Sequence, residues 1–304
     1  GVNRTLLSAQ VGRACKTLGF RTPIVWIYMP HFGSLVETIK SKGVVYYCTD
    51  EYSSNPMVDP DTIRRMERNI LAKADVACVV SKQLLETKGR YNPNTYLSRH
   101  GVDVDLFGRA MSESTKVPED IARISHPIAG FFGLLEEWID TDLIAHVAGA
   151  LPTTSFVFLG RVARDMTSLK QYPNVHLLGH RPYETLPGYL KAFDVCMLVY
   201  KQGEFSKHAN PKKLREYLAG GKPIVSVRLG EVEEYEEFVR IADTYDEFAN
   251  HVEAAIREDT AEERARRAKA MEANSWEAKV EWLGEIIARH IELAGSEPAR
   301  AHRE

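Results

Sequence analysis

The sequence predicts an α/β protein with two Rossmann-like domains, each on a parallel sheet, and three observations carry that prediction. Short apolar and β-branched runs alternate with segments of helical period, once before residue 111 and again after residue 125. Such alternation means parallel strands joined by helical crossovers. Between the two sets, residues 111–125 turn polar and unpatterned, as a linker does. A length of 304 residues is long for one core and comfortable for two.

Taken in order, residues 3–19 read as a helix ending at Gly19, and residues 23–28 as a continuous apolar strand stopped by Pro30. Residues 44–48 give a second strand, 61–74 a helix and 76–80 a third strand, with Ser81 capping the helix that follows. Residues 95–99 form a short fourth strand that leads into Gly101-Val102-Asp103. Ligands of parallel sheets bind beyond the carboxyl ends of the strands, which singles out His31, Asp50, Ser81 and Gly101 in this half. The second set has strands at 128–133, 155–159, 175–178, 195–199 and 224–227, with helices at 141–150 and 183–193. Five strands complete its sheet. Residues 246–293 read as helical and highly charged, and Trp276 and Trp282 are suited to anchor them by docking.

Composition narrows the function. A net charge of -3 argues against wholesale nucleic-acid binding, and no apolar run approaches the roughly 20 residues of a membrane-spanning helix. Cys15, Cys48, Cys78 and Cys196 are scattered, and the last three lie in apolar strand-like runs. They read as small buried hydrophobes in a reducing compartment, so a cytoplasmic location is the default.

The densest signal lies in residues 208–227, His-Ala-Asn-Pro-Lys-Lys-Leu-Arg-Glu-Tyr-Leu-Ala-Gly-Gly-Lys-Pro-Ile-Val-Ser-Val. This is loop, helix, turn and buried strand. Asn210-Pro211 starts the helix, and Leu214, Tyr217 and Leu218 are its packing face. Gly220-Gly221 supplies the left-handed stop, and Pro223 prevents continuation. Lys213 and Glu216, three residues apart, share one face near the helix N-terminus, where free N–H groups favour an anion. A cation with N–H groups can hold a diphosphate, and a carboxylate one turn along can accept hydrogen bonds from a ribose diol. The competing reading is a surface ion pair.

The run Asn-Pro-x-Lys-Leu-x-Glu-Tyr-Leu-Ala-x-Gly-Lys-Pro-Ile-Val resembles the donor-site motif of the family 4 retaining glycosyltransferases. Ala74-Asp75, Ser81, Gly101-Val102-Asp103 and Phe107 extend the resemblance through the first half. It implies the B-type glycosyltransferase fold, two Rossmann-like domains with parallel sheets facing a cleft. It places an acceptor-side domain and linker at 1–124, a donor domain at 125–270 and C-terminal helices at 271–304 that cross back to the first domain. The chain opens with Gly-Val-Asn-Arg where the family has a strand and a glycine-rich loop, so the first domain is expected to be incomplete.

By the same resemblance, Glu216 holds the donor ribose, while Lys213 and the Asn210 backbone face the diphosphate of a UDP- or GDP-sugar. Gly133, at a strand-to-helix turn, lets a phosphate approach, and Arg161 is a further available cation. Arg181 and Tyr183 follow the 175–179 segment, where backbone groups contact the base. Tyr200 and Lys201 are candidates for the same pocket. His31 and Asp50 are candidates for the acceptor side. His208 stands where the family usually has a glutamate near the transferred sugar, and the segment 134–140 lacks the family's usual Arg and Lys.

The implied activity is transfer of a sugar from a nucleoside diphosphate to a hydroxyl of a glycan or lipid-linked acceptor, in polysaccharide, glycolipid or surface-glycan synthesis. The alternatives are a nucleotide-sugar 2-epimerase and a non-catalytic nucleotide-sugar binding subunit. No Asp-x-Asp motif lies near the donor site, so no metal or other cofactor is expected. Residues 1–124 carry 17 Lys and Arg against 13 Asp and Glu, a polarity compatible with peripheral contact to the inner membrane face.

Overall fold

The structure is a computed structural model that describes residues 2–54, 57–203 and 210–291. The chain divides into two compact units, Gly1–Arg99 with Lys279–Glu304, and His100–Ala278.

The first unit holds a four-stranded parallel sheet in the order β1-β2-β3-β4: β1 (Ile24–Ile27), β2 (Gly43–Cys48), β3 (Val76–Val79) and β4 (Thr95–Leu97). Every residue of β2 and β3 is buried, as expected for apolar strands covered on both faces. The helix Trp276–His290 adds Leu283, Ile286 and Ile287 to this core, followed by Ile291. The Ser81 hydroxyl accepts from the Leu84 N–H (3.2 Å), the cap that the sequence predicts. Behind the carboxyl end of β2, the buried Lys88 ammonium donates to Glu51 (2.8 Å) and Glu67 (2.6 Å), and Tyr46 donates to Glu67 (2.8 Å). This charge-paired network fixes the segment that carries Asp50, because a buried cation must keep its carboxylate partners.

The second unit has a six-stranded parallel sheet: β5 (Ile128–Phe132), β6 (Ser155–Leu159), β7 (Val175–Gly179), β8 (Val195–Leu198), β9 (Ile224–Val227) and β10 (Val239–Ala242). The spatial order is β10-β9-β8-β5-β6-β7. Read from β7, this is the doubly wound order, whose ligand crevice opens where the winding reverses, between β5 and β8. The sequence reading stopped at five strands. Val239–Ala242 was missed because a four-residue edge strand leaves almost no periodic signal before the Thr244 capping box opens the next helix.

Three further differences separate the structure from the sequence reading. The charged stretch read as one helical region is three helices, Tyr245–Glu258, Ala261–Lys269 and Trp276–His290, the first ending before the capping residue Thr260 of the second. The left-handed residue after the Lys212–Ala219 helix is Gly221 (φ 70°), whereas Gly220 remains at φ -81°. Residues 100–124, grouped with the first domain and linker in the sequence reading, pack with the second unit: Phe107, Ala110 and Ile121 are buried in its core. The two tryptophans go to different places. Trp276 covers Gly101, where a Cβ would lie 2.6 Å from its ring, and Trp282 meets Tyr96 edge-on at 6.4 Å.

Candidate nucleotide-sugar site

In the second unit, a pocket of about 590 Å³ opens at the carboxyl ends of β5, β6 and β7, walled in part by Phe132, Gly133, Gly160, Arg161, His180, Arg181, Tyr183, Lys213 and Glu216. Its floor is shaped by two glycines. Gly133 (φ 143°) and Gly160 (φ 145°) end adjacent strands in conformations that L side chains rarely adopt. A Cβ on Gly133 would stand 2.7 Å from the Lys213 Cε, and one on Gly160 would stand 1.8 Å from the Gly133 carbonyl oxygen. The backbones are therefore close-packed here, and ligand space exists because neither position carries a side chain.

The wall comes from the Lys212–Ala219 helix, seated by Leu214, Tyr217 and Leu218, all fully buried. Tyr217 locks it to β5, its hydroxyl accepting from the Phe132 N–H (3.0 Å). This anchoring turns Lys213 and Glu216 toward the pocket. Lys213 donates to the Tyr200 hydroxyl (2.8 Å), and its ammonium lies 5.1 Å from the Phe131 ring centroid and 5.5 Å from that of Tyr200. The helix has no side-chain cap. A cation held beside an uncapped helix N-terminus favours an anion between them.

Glu216 is half-buried and accepts from the Tyr183 hydroxyl (3.0 Å). Burial pushes its carboxyl above the ordinary carboxylate range, against the opposing Tyr183 hydrogen bond and the Lys213 and Lys212 charges. Burial, then the neighbouring Glu216 charge, likewise pushes the Tyr183 phenol up. The Tyr183 ring meets Phe107 edge-on at 5.5 Å, so the residue-100–124 segment buttresses this wall.

The other candidates sort by what holds them. Arg161 is exposed at the pocket rim. Arg181 contributes to the wall, but Asp120 (2.6 Å) and the Tyr189 hydroxyl (2.7 Å) engage its guanidinium, which acts as a brace for the helix Glu119–Ala122. The Asn210 side-chain oxygen accepts from Arg215 (2.7 Å). His31 and Asp50 are exposed in the first unit, after β1 and β2 respectively. His208 lies outside the described residues. Sequence reasoning left out Gly160 as a site residue, although a glycine closing a strand beside Gly133 was a visible signal. It also left out Phe107 and Phe131, whose roles depend on contacts no spacing encodes.

No protein-family model matches the chain. It is 27% identical over 227 residues to a protein of Bacillus subtilis (strain 168) named as the teichuronic acid biosynthesis glycosyltransferase TuaH, a match covering 67% of this chain and 55% of that protein. The match thus spans about half the length of this curated relative. Among solved structures, HepE of Anabaena in complex with UDP and glucose superposes with a TM-score of 0.73 at 16% identity, over 93% of this chain and 81% of that one. A glycosyltransferase from Rickettsia africae ESF-5 gives 0.72 at 13% identity, over 94% and 80%. The catalytic domain of starch synthase IV from Arabidopsis thaliana, bound to ADP and acarbose, gives 0.70 at 12% identity, over 94% and 76%. These likenesses show the fold, which is the B-type glycosyltransferase fold.

Proposed function

We propose that a chain with this fold, whose second unit gathers Lys213, Glu216, Tyr183, Gly133 and Gly160 into one pocket, is a retaining glycosyltransferase using a nucleoside diphosphate sugar. The observation that carries the reading is the pairing of a ribose-ready carboxylate with a lysine and an uncapped helix N-terminus around a glycine-lined floor. The ribose diol donates to Glu216 in place of Tyr183. The diphosphate lies against Lys213 and the first N–H groups of the helix, with Arg161 at the rim. Catalysis is then positioning and charge stabilisation of the departing diphosphate, while the acceptor hydroxyl attacks from the same face and passes its proton to the leaving phosphate. His31 and Asp50 serve the acceptor side, and His208 holds the sequence position that the resemblance assigns to the transferred sugar. The likeness to TuaH supports a surface-polymer acceptor, and the complexes of HepE with UDP and of starch synthase IV with ADP support a nucleoside diphosphate in the pocket.

Radiolabelled UDP- and GDP-sugars incubated with the protein and a glycan or lipid extract test the reading. Transfer with retained configuration is expected. Epimerisation at C2, or binding without turnover, would overturn it in favour of an epimerase or of a non-catalytic subunit, the latter in keeping with His208 and the absence of basic residues at 134–140.

Because the reading assigns the diphosphate charge to side chains and N–H groups, activity is expected to survive EDTA and to fall at least tenfold in Lys213→Ala, the order expected for a charge-assisted contact. Loss on EDTA with recovery on Mg²⁺ or Mn²⁺ would assign that charge to a metal.

No helix among the described residues is long and apolar enough to cross a membrane. We propose a cytoplasmic protein in peripheral contact with the inner membrane face. The first 36 residues hold four Arg and Lys and no Asp or Glu, and Leu6, Leu18 and Phe20 are exposed there. Basic residues near an anionic surface contribute about 1 kcal/mol each. Flotation with liposomes containing phosphatidylglycerol, lost at high salt, is the expected result, and equal recovery with neutral liposomes would remove the electrostatic part of the proposal.

A further inference from the structure

Arg215 has no place in the mechanism above, yet it is the largest fully buried side chain among the described residues and is 0% exposed. Its Nη1 donates to the Asn210 side-chain oxygen at 2.7 Å, and its guanidinium carbon lies 5.3 Å from the Tyr235 ring centroid. Among the described residues, the Nε and Nη2 atoms have no hydrogen-bond partner. Enclosed polar groups are almost always paired, and a guanidinium with two idle donors is the strongest exception in this unit. His100 is buried close by, and burial, with the Lys212 and Arg215 charges adding to it, pushes its imidazole down to about 3.

The position of this guanidinium decides what it can meet. Glu216 lies four residues into the Lys212–Ala219 helix, about 6 Å along its axis. A donor with its ribose at Glu216 and its diphosphate at the helix N-terminus carries the sugar beyond that end, toward Asn210. Arg215 reaches back to Asn210 and is not among the walls of the nucleotide pocket. Lys213 and Arg161 already stand in that pocket for the diphosphate. We infer that Arg215 receives a carboxylate on the transferred sugar, which makes the donor a nucleoside diphosphate uronate. A planar guanidinium offering two adjacent N–H groups fits a carboxylate by geometry as well as by charge. The inference rests on the nucleotide-sugar reading of the site.

The test measures binding of UDP, UDP-glucose and UDP-glucuronate by calorimetry to the full chain and to Arg215→Met, which keeps length and apolar volume. GDP, GDP-mannose and GDP-mannuronate replace them if the protein binds only guanosine. The parent is expected to bind the uronate at least about tenfold tighter than the neutral sugar, the order of one charge-assisted contact. Arg215→Met should abolish that preference while leaving UDP affinity, the control for an intact pocket, within about twofold. Its melting temperature should match or exceed the parent's, since an unpaired buried cation has been removed. A preference that survives in Arg215→Met, or a parent that binds both sugars equally, overturns the assignment to Arg215. Weakened UDP binding in the variant moves the guanidinium to the diphosphate and likewise overturns it. A parent that binds neither UDP nor GDP instead overturns the nucleotide-sugar reading itself.

Discussion

Gly160→Ala is expected to cost the second unit about 3 kcal/mol or more, from a strained left-handed backbone and forced overpacking together. The added Cβ would sit 1.8 Å from the Gly133 carbonyl oxygen, and that atom belongs to backbone that cannot swing aside. Gly160 N–H donates to the Gly179 carbonyl (2.8 Å) and Gly133 N–H to that of Leu159 (2.8 Å), so the ends of β5, β6 and β7 are tied together and would have to shift as one. Since whole domains are stable by only about 5–15 kcal/mol, a large part of the margin is at stake. Urea unfolding followed by the fluorescence of Trp138, which packs against the second unit's core, reads it. A midpoint equal to the parent's would show that the two strand ends are not close-packed. Gly12→Ala, in the helix Val2–Thr17 with no atom within 4 Å of its would-be Cβ, is the matched control.

Glu216→Ala is expected to weaken nucleotide binding by about 1.5–3 kcal/mol, the usual worth of hydrogen bonds to a charged group, or roughly 10- to 100-fold in Kd. Titration with UDP and GDP checks it, and unchanged affinity for the nucleotide that the parent binds would remove Glu216 from the site. A second signature has the opposite sign. The Glu216 carboxyl is raised in the folded state from its ordinary 4.5, so the fold holds that proton more tightly than the unfolded chain does. Its ionisation carries no penalty below the ordinary value. Stability is then lost as pH rises from there through the raised value, and the loss persists at neutral pH. Glu216→Gln should therefore unfold at higher urea than the parent at pH 7, with the gap closing toward pH 4. A residue whose removal weakens binding while raising stability is kept for its ligand.

The fold was legible where a physical rule acts within a few residues. Apolar runs such as 44–48 and 76–80 were legible as buried strands because they are too short for a buried helix and carry β-branched valines that suit a sheet covered on both faces. The Lys212–Ala219 helix was legible from its proline start and glycine stop, and Lys213 and Glu216 were legible as a pair because helical spacing puts them on one face.

What the tertiary structure alone decided depends on groups distant in sequence. That Arg181 braces Asp120 follows from packing across 61 residues, and that Tyr183 meets Glu216 from packing across 33. The second unit starts at His100 because the apolar side chains of Phe107, Ala110 and Ile121 find their burial there, a preference invisible in a stretch whose local pattern is polar. The same holds for Arg215, which by spacing alone is a surface helix residue. Its burial beside Asn210 and Tyr235, with two donors unpaired, exists only once the helix is seated by Leu214 and Tyr217, because a local pattern sets which face a residue shares and the assembled core sets what that face meets.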